Sequence, residues 1–239
     1  MAAPMATPLN KPVERWWIRP VLGNRLGAIG GLAFVIIVVA QNVARFAIAP
    51  ANGAGAAEIV DSLTKYRALY EAMGASLAAS GVALALFLAA AWHRLAVDKA
   101  RPWAQMGFLG GTGIFAVFPL MIASQFALLA ISHGASPDSS AVTALWALHN
   151  GIFTVLDLSI AIATVGFSLA AVRAKLVPAA FDWLGPLAGL FLIVGTAAGT
   201  QITAGDAQPL MGVAGLGFIG WLALLVRCSI GMWREGDAG

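Results

Sequence analysis

The chain has 239 residues, of which 60% are hydrophobic and only 10% are Asp, Glu, Lys or Arg, with a formal net charge of +3. That composition excludes an ordinary water-soluble globule of this length. At about 1.5 Å per helical residue, a bilayer core of roughly 30 Å takes about 20 apolar residues, so the chain supplies several crossings.

Residues 1–25 carry Pro4, Pro8, Pro12 and Pro20 among basic residues and are expected to form a flexible basic cytoplasmic tail. Apolar stretches then predict helices over about 27–49, 75–97, 104–132, 141–172, 183–203 and 209–232. Runs this long, without the alternation of barrel strands, leave helices as the spanning structure, because the lipid-embedded backbone must satisfy itself. The expected fold is therefore all-α: a polytopic membrane helix bundle with six transmembrane helices over residues 26–234, both termini cytoplasmic, and a short cytoplasmic tail at 235–239.

Orientation comes from the basic residues. With a cytoplasmic N-terminus, eleven of the fourteen fall on the inner side: Lys11, Arg15, Arg19, Arg25, Arg94, Lys99, Arg101, Arg173, Lys175, Arg227 and Arg234. Arg45, Lys65 and Arg67 fall at or beyond the outer end of the first crossing. Trp16, Trp17, Trp92, Trp103, Trp183 and Trp233 near inner ends, and Trp146 near an outer end, fit an interfacial belt, with Trp221 the mid-helix exception. Residues 1–49 also have a signal-peptide layout, ending in Ala47-Ile48-Ala49, but the long basic region and the late polar residues Gln41, Asn42 and Arg45 favour a retained, packed helix.

The sizeable outer connection, 50–73, ends in an amphipathic stretch. Ile59, Leu63, Tyr66 and Tyr70 share one side, with Glu58, Asp61, Ser62 and Lys65 on the other, as in a helix packed on the bundle or a lid over an outward cavity.

Small residues at four-residue spacing mark seams where helices approach closely: Gly107 with Gly111, Gly185 with Gly189, Gly195 with Gly199, and Ser76 with Ser80. In the last helix Gly215, Gly217 and Gly220 match the dinucleotide fingerprint in letters only, since no strand precedes them, and they too are expected to be a packing face. Asp157, near the middle of the fourth helix, shares a face with Asn150 and Thr154. A lone intramembrane carboxylate must be neutral, paired or hydrated, so a polar centre is expected around these residues with His149, Arg45, Asn42, Gln41 and Gln125: a structural hydrogen-bond network that fixes helix register, an outward-open ligand pocket, or a site of proton or ion coupling.

Three histidines raise a haem or metal centre, but His93 belongs at an inner end while His133 and His149 belong to the outer half, and no cysteine or carboxylate cluster completes a site. No metal and no cofactor are expected. The single cysteine, Cys228, reads as a buried inert thiol. Nucleic-acid binding is unsupported, because the basic residues sit where membrane orientation requires them. No nucleophile, base and orienting group can be named together, so an intramembrane enzyme is the weakest reading.

Leu148-His149-Asn150-Gly151, then an apolar helix to Arg173, then Leu176-Val177-Pro178, Leu184-Gly185 and Ala188-Gly189, resembles a family of short six-helix bacterial integral membrane proteins that carry a domain of unknown function. The resemblance spans most of residues 25–232 and implies a multi-pass protein of the bacterial cytoplasmic membrane, without an established activity; Asp157 is not part of its pattern. Two functions follow as expectations. One is binding or transport of a small or lipid-like ligand through an outward-facing polar pocket; the other is a non-catalytic accessory subunit that docks a membrane-protein partner through its glycine faces. In both, the lipid bilayer is the surrounding partner.

Overall fold

The computed structural model describes residues 20–133 and 138–237. Every regular element among them is helical: α1 (Pro20–Ile48), α2 (Ala56–Lys65), α3 (Arg67–Leu95), α4 (Arg101–Ile131), α5 (Ser139–Arg173), α6 (Phe181–Ala197), α7 (Gly199–Ala204) and α8 (Gln208–Asp237), with one 3-10 turn, Asp98–Ala100, leading into α4. Among the described residues, α1, α3, α4, α5 and α8 are each long and apolar enough to cross a membrane. Large apolar side chains such as Ile36, Phe46, Leu109 and Ile219 point outward from the bundle. Such a surface is tolerated against lipid and not in water.

Helix limits depart from the sequence expectation at four places, one of them the start of α3, which begins at Arg67 rather than near residue 75. α1 begins at Pro20, so the last residues of the expected tail are helical, with proline at the first helical position where its missing N–H is no loss. Lys11, Arg15, Arg19, Trp16 and Trp17 lie outside the described residues. α8 runs to Asp237, which shortens the expected C-terminal tail. The helix expected over 183–203 is interrupted at Ala198, leaving α6 with 17 residues, shorter than the others. Gly195, Thr196 and Gly199 cluster there; all are poor helix formers, and the Thr196 hydroxyl donates across to the Thr154 carbonyl of α5 at 3.0 Å.

The amphipathic stretch is likewise split. α2 ends at Lys65, and Tyr70 already belongs to α3. Ile59, Leu63 and Tyr70 are buried as their spacing implies, packed with Leu128, Val142 and Trp146, so α2 is a helix lying on the bundle. Ser62, expected on its polar side, is buried; it donates to the Ile48 carbonyl at 2.8 Å and meets the Tyr70 hydroxyl at 3.1 Å. Asp138 caps α5: its carboxyl accepts from the Ser140 hydroxyl at 2.6 Å and from the Ala141 and Ser140 amides, which together hold it below the usual range.

α5 is the central helix, with α4, α6 and α8 around it. Gly166 of α5 lies against the backbone of Gly107, and a Cβ on Gly110 would sit 2.7 Å from the Ala163 Cα. Trp221 is fully buried and stacks on Phe167 at 6.4 Å, which accounts for a tryptophan in the middle of α8. Trp146 departs from the belt: it is buried beneath residues 49–55, and its indole N–H donates to the Ala51 carbonyl at 3.1 Å.

The glycine seams are mostly internal. Gly107 faces Phe167, Gly111 faces Leu88 of α3, Gly185 and Gly189 face Ser168 and Val165 of α5, Gly195 faces Ala214 of α8, and Gly199 faces Thr154. Gly215 is the exception among those expected to pack: open space surrounds it, while Gly217 and Gly220 meet Ala188 of α6 instead. The two-residue step from Gly215 turns roughly 200° on a helix, which places it on the far side from Gly217.

Gly166→Val should destabilise the bundle by about 2 kcal/mol or more through overpacking, whereas Gly215→Ala should stay within about 0.5 kcal/mol or gain slightly from helix propensity. Reversible unfolding in mixed detergent measures both. Equal tolerance of the two substitutions would contradict the α4–α5 seam.

Candidate functional site

Arg45 occupies the last turn of α1, where a cation is favoured by the helix C-terminus. Its side chain reaches α5. One guanidinium nitrogen lies 3.3 Å from His149 Nε2, and the other donates to Asn150 Oδ1 at 2.6 Å. Because arginine only donates, His149 Nε2 must be the acceptor, which puts the imidazole proton on Nδ1. That proton faces Ser124 Oγ of α4 at 2.8 Å, and the Ser124 hydroxyl donates in turn to the Met121 carbonyl at 2.9 Å. A directed chain therefore runs from α1 through α5 to α4, with the imidazole neutral.

The guanidinium also lies over two π-faces, 4.1 Å from the Phe153 ring centroid and 5.9 Å from that of Trp146. His149 stacks on Trp146 at 6.0 Å and meets Phe153 edge-on at 5.2 Å. Among the described residues, no carboxylate pairs with Arg45; its partners are an imidazole nitrogen, an amide oxygen and two rings. One group beside it is unsatisfied. Asn150 is 4% exposed, and its Nδ2 is buried with no hydrogen-bond partner among the described residues.

The remaining expected site residues divide into three sets. Gln41 donates to Ser76 Oγ at 2.6 Å and to the Met73 carbonyl at 3.2 Å, tying α1 to α3. Gln125 donates to the Tyr70 carbonyl, tying α4 to α3, while Asn42 turns back on its own helix to the Val38 carbonyl at 2.9 Å. Thr154 and Asp157 face α6 rather than Arg45. The Thr154 hydroxyl bonds the Gly151 carbonyl, and Asp157 Oδ2 lies 3.4 Å from where a Cβ on Gly195 would stand. Among the described residues, no hydrogen bond or ion pair reaches the Asp157 carboxylate.

Arg45, His149 and Asn150 are thus brought together, joined by Ser124, whereas Asp157 is not. The shared stripe on α5 is real, but Phe153 and Asn150 turn toward α1 and Thr154 and Asp157 toward α6, so one helical face serves two neighbours. Sequence reasoning missed Phe153 and Trp146. Their spacing of four and three residues from His149 placed them on its side of the helix. His133 meets Arg67, which also pairs with Glu71 at 2.7 Å. Among the described residues, no group of three or more His, Cys, Asp or Glu is arranged to hold a metal. Comparison with known protein families, with curated proteins and with solved structures finds no match to this chain.

Arg45→Leu and His149→Leu should each destabilise by about 1–3 kcal/mol, since each strands a polar partner. The double substitution should fall short of the sum by about 1 kcal/mol or more, while Arg45→Leu with Asp157→Asn should be additive. Unfolding free energies in one detergent system complete both cycles, and additivity in the first would dissolve the proposed chain.

Proposed function

We propose that this is a six-crossing protein of the bacterial cytoplasmic membrane, both termini cytoplasmic, that binds a small or lipid-like ligand through an anionic group at the outer-half centre formed by Arg45 and Asn150. The observation that carries the binding reading is the pairing of a cation that has no carboxylate partner among the described residues with a buried amide N–H₂ that has no acceptor. A guanidinium and an amide donor on one side of an oxygen atom suit a carboxylate or phosphate. Phe153 and Trp146 supply apolar walls for the rest of an amphipathic ligand. Noncovalent capture is all that these groups offer; His149 is committed to holding Arg45 in place.

Six crossings count α6 and α7 as one interrupted passage. Arg25, Arg94, Lys99, Arg101, Arg173, Lys175, Arg227 and Arg234 then gather at the end opposite α2, as the positive-inside rule requires of a cytoplasmic side. The accessory-subunit reading has less support, because six of the seven glycines it would use for docking already face neighbouring side chains or backbone of this chain.

Topology is testable because the native Cys228 is 1% exposed and leaves little labelling background. In intact cells, a membrane-impermeant maleimide should label Ala57→Cys and spare Ala179→Cys; the reverse pattern overturns the orientation. For binding, native mass spectrometry of protein in nanodiscs titrated with dodecanoate should show saturable occupancy. Arg45→Gln should weaken it about tenfold, a loss of about 1.4 kcal/mol, and Asp157→Asn should leave it unchanged. Absence of saturable binding, or equal loss in both variants, would count against the Arg45 centre.

A further inference from the structure

At the opposite end of the bundle, a cavity of about 230 Å³ opens between the α5–α6 connection and α8, lined by Lys175, Leu176, Arg227, Ile230, Gly231 and Arg234. Three of its six lining residues are cations, and none is acidic. Among the described residues, Lys175, Arg227 and Arg234 have no ion pair, whereas neighbouring Arg173 is neutralised by Asp182 at 3.1 Å. Convergence of three like charges is unfavourable unless an anion joins them.

The backbone brings this convergence about. α5 ends with the Leu176 amide donating to the Ala171 carbonyl at 2.8 Å and the Lys175 amide to the Val172 carbonyl at 3.0 Å, the double bond of a Schellman turn. The left-handed position of such a turn normally belongs to glycine, yet here it is Lys175, with φ 58°. On the other wall, Gly231 has no side chain to hold the turn away, and a Cβ there would lie 2.8 Å from the Leu176 carbonyl oxygen. Arg94 adds a bond to the Ala174 carbonyl at 3.5 Å. Arg227 and Arg234, seven residues apart, share the face of α8 that this turn meets. A strained lysine is thus set against two arginines where glycine would relax the turn.

We infer that this cavity is a binding site for a phosphate group. Leu176 and Ile230 beside the cations, and the position at the ends of long apolar helices, match the phosphodiester of an acidic phospholipid whose chains lie along the bundle. Free inorganic phosphate presents the same oxygens without the chains, and the test separates the two sources. The site is at the far end from Arg45 and does not depend on the ligand proposed there.

The experiment measures binding to the full-length protein in phosphatidylcholine nanodiscs by native mass spectrometry, titrating phosphatidylglycerol in one arm and inorganic phosphate in the other. Arg227→Gln and Lys175→Gly should each lower phosphatidylglycerol occupancy about fivefold, corresponding to about 1 kcal/mol per cation near an anionic surface. Lys99→Gln, an exposed cation at the same end but outside the cavity, should change it less than about twofold. Lys175→Gly also carries its own folding control: it relieves a left-handed residue, so the variant should unfold no more readily than the parent while binding more weakly. Binding of phosphate alone, lost in the same two variants, assigns the site to the free ion; binding of phosphatidylglycerol with no competition from phosphate assigns it to lipid. Equal loss in Lys99→Gln and Arg227→Gln, or unchanged binding in Arg227→Gln and Lys175→Gly, overturns the site.

Discussion

Close approach of α5 to α4 underlies the rest of the structure. In lipid, apolar side chains gain little by leaving one apolar surface for another, so helices associate through van der Waals contact, and contact is greatest where side chains are smallest. Gly107 and Gly110 on α4 against Ala163 and Gly166 on α5 bring the two backbones together. That contact fixes α5 at the centre, and the other helices take positions relative to it. Gly185 and Gly189 set α6 on the neighbouring face, Gly217 and Gly220 of α8 close on α6, and Trp221 fills the interior against Phe167. His149 and Asn150 then stand within reach of an arginine on α1, although α1 packs on α3 and α8 rather than along α5.

The charge economy of the bundle is the second organising fact. A guanidinium within an apolar helix bundle must be met by acceptors or by π-electrons, and here no carboxylate among the described residues meets Arg45. An imidazole, an amide oxygen and two aromatic rings share the task, and the imidazole is fixed in turn by Ser124. The same end is laced by further polar contacts: Trp146 to Ala51, Asn52 to the Ile202 carbonyl, and Ser62 to Ile48. α2 lies over this lacing, so this end of the bundle has a polar core covered by an amphipathic helix. The other end is different in kind, with cations at its rim and few acidic partners. One chain therefore carries two positively charged centres of unlike character, one part-buried among rings and one opening at the surface.

The helical class and its membrane setting were legible in composition and hydropathy, because length and apolarity alone decide whether a helix can cross lipid. The stripe Ile59, Leu63 and Tyr70 was legible as a buried face, since helical periodicity follows from backbone geometry. Arg45, His149 and Asn150 could be named from their polarity within apolar runs. Which of them meet could not be read, because residues 104 and 105 positions apart in the chain meet only if their helices are rotated suitably about their axes. Asp157 shows the limit most clearly: it shares a helical stripe with Asn150, yet the stripe is wide enough for α1 and α6 to divide it.

Sequence by itself determined an all-helical chain with spans suited to a membrane, an asymmetric distribution of basic residues and a set of small residues suited to close packing. These are properties of single helices, written in period and composition. The tertiary structure alone decided that Gly215 faces outward while Gly217 packs, that the passage after Phe181 breaks at Ala198, and that Trp146 is buried. It also decided that Lys175 turns left-handed toward Arg227. Each depends on the rotation and depth of one helix against another, which follow from the summed contacts of side chains far apart in the chain and are not recorded in any local pattern.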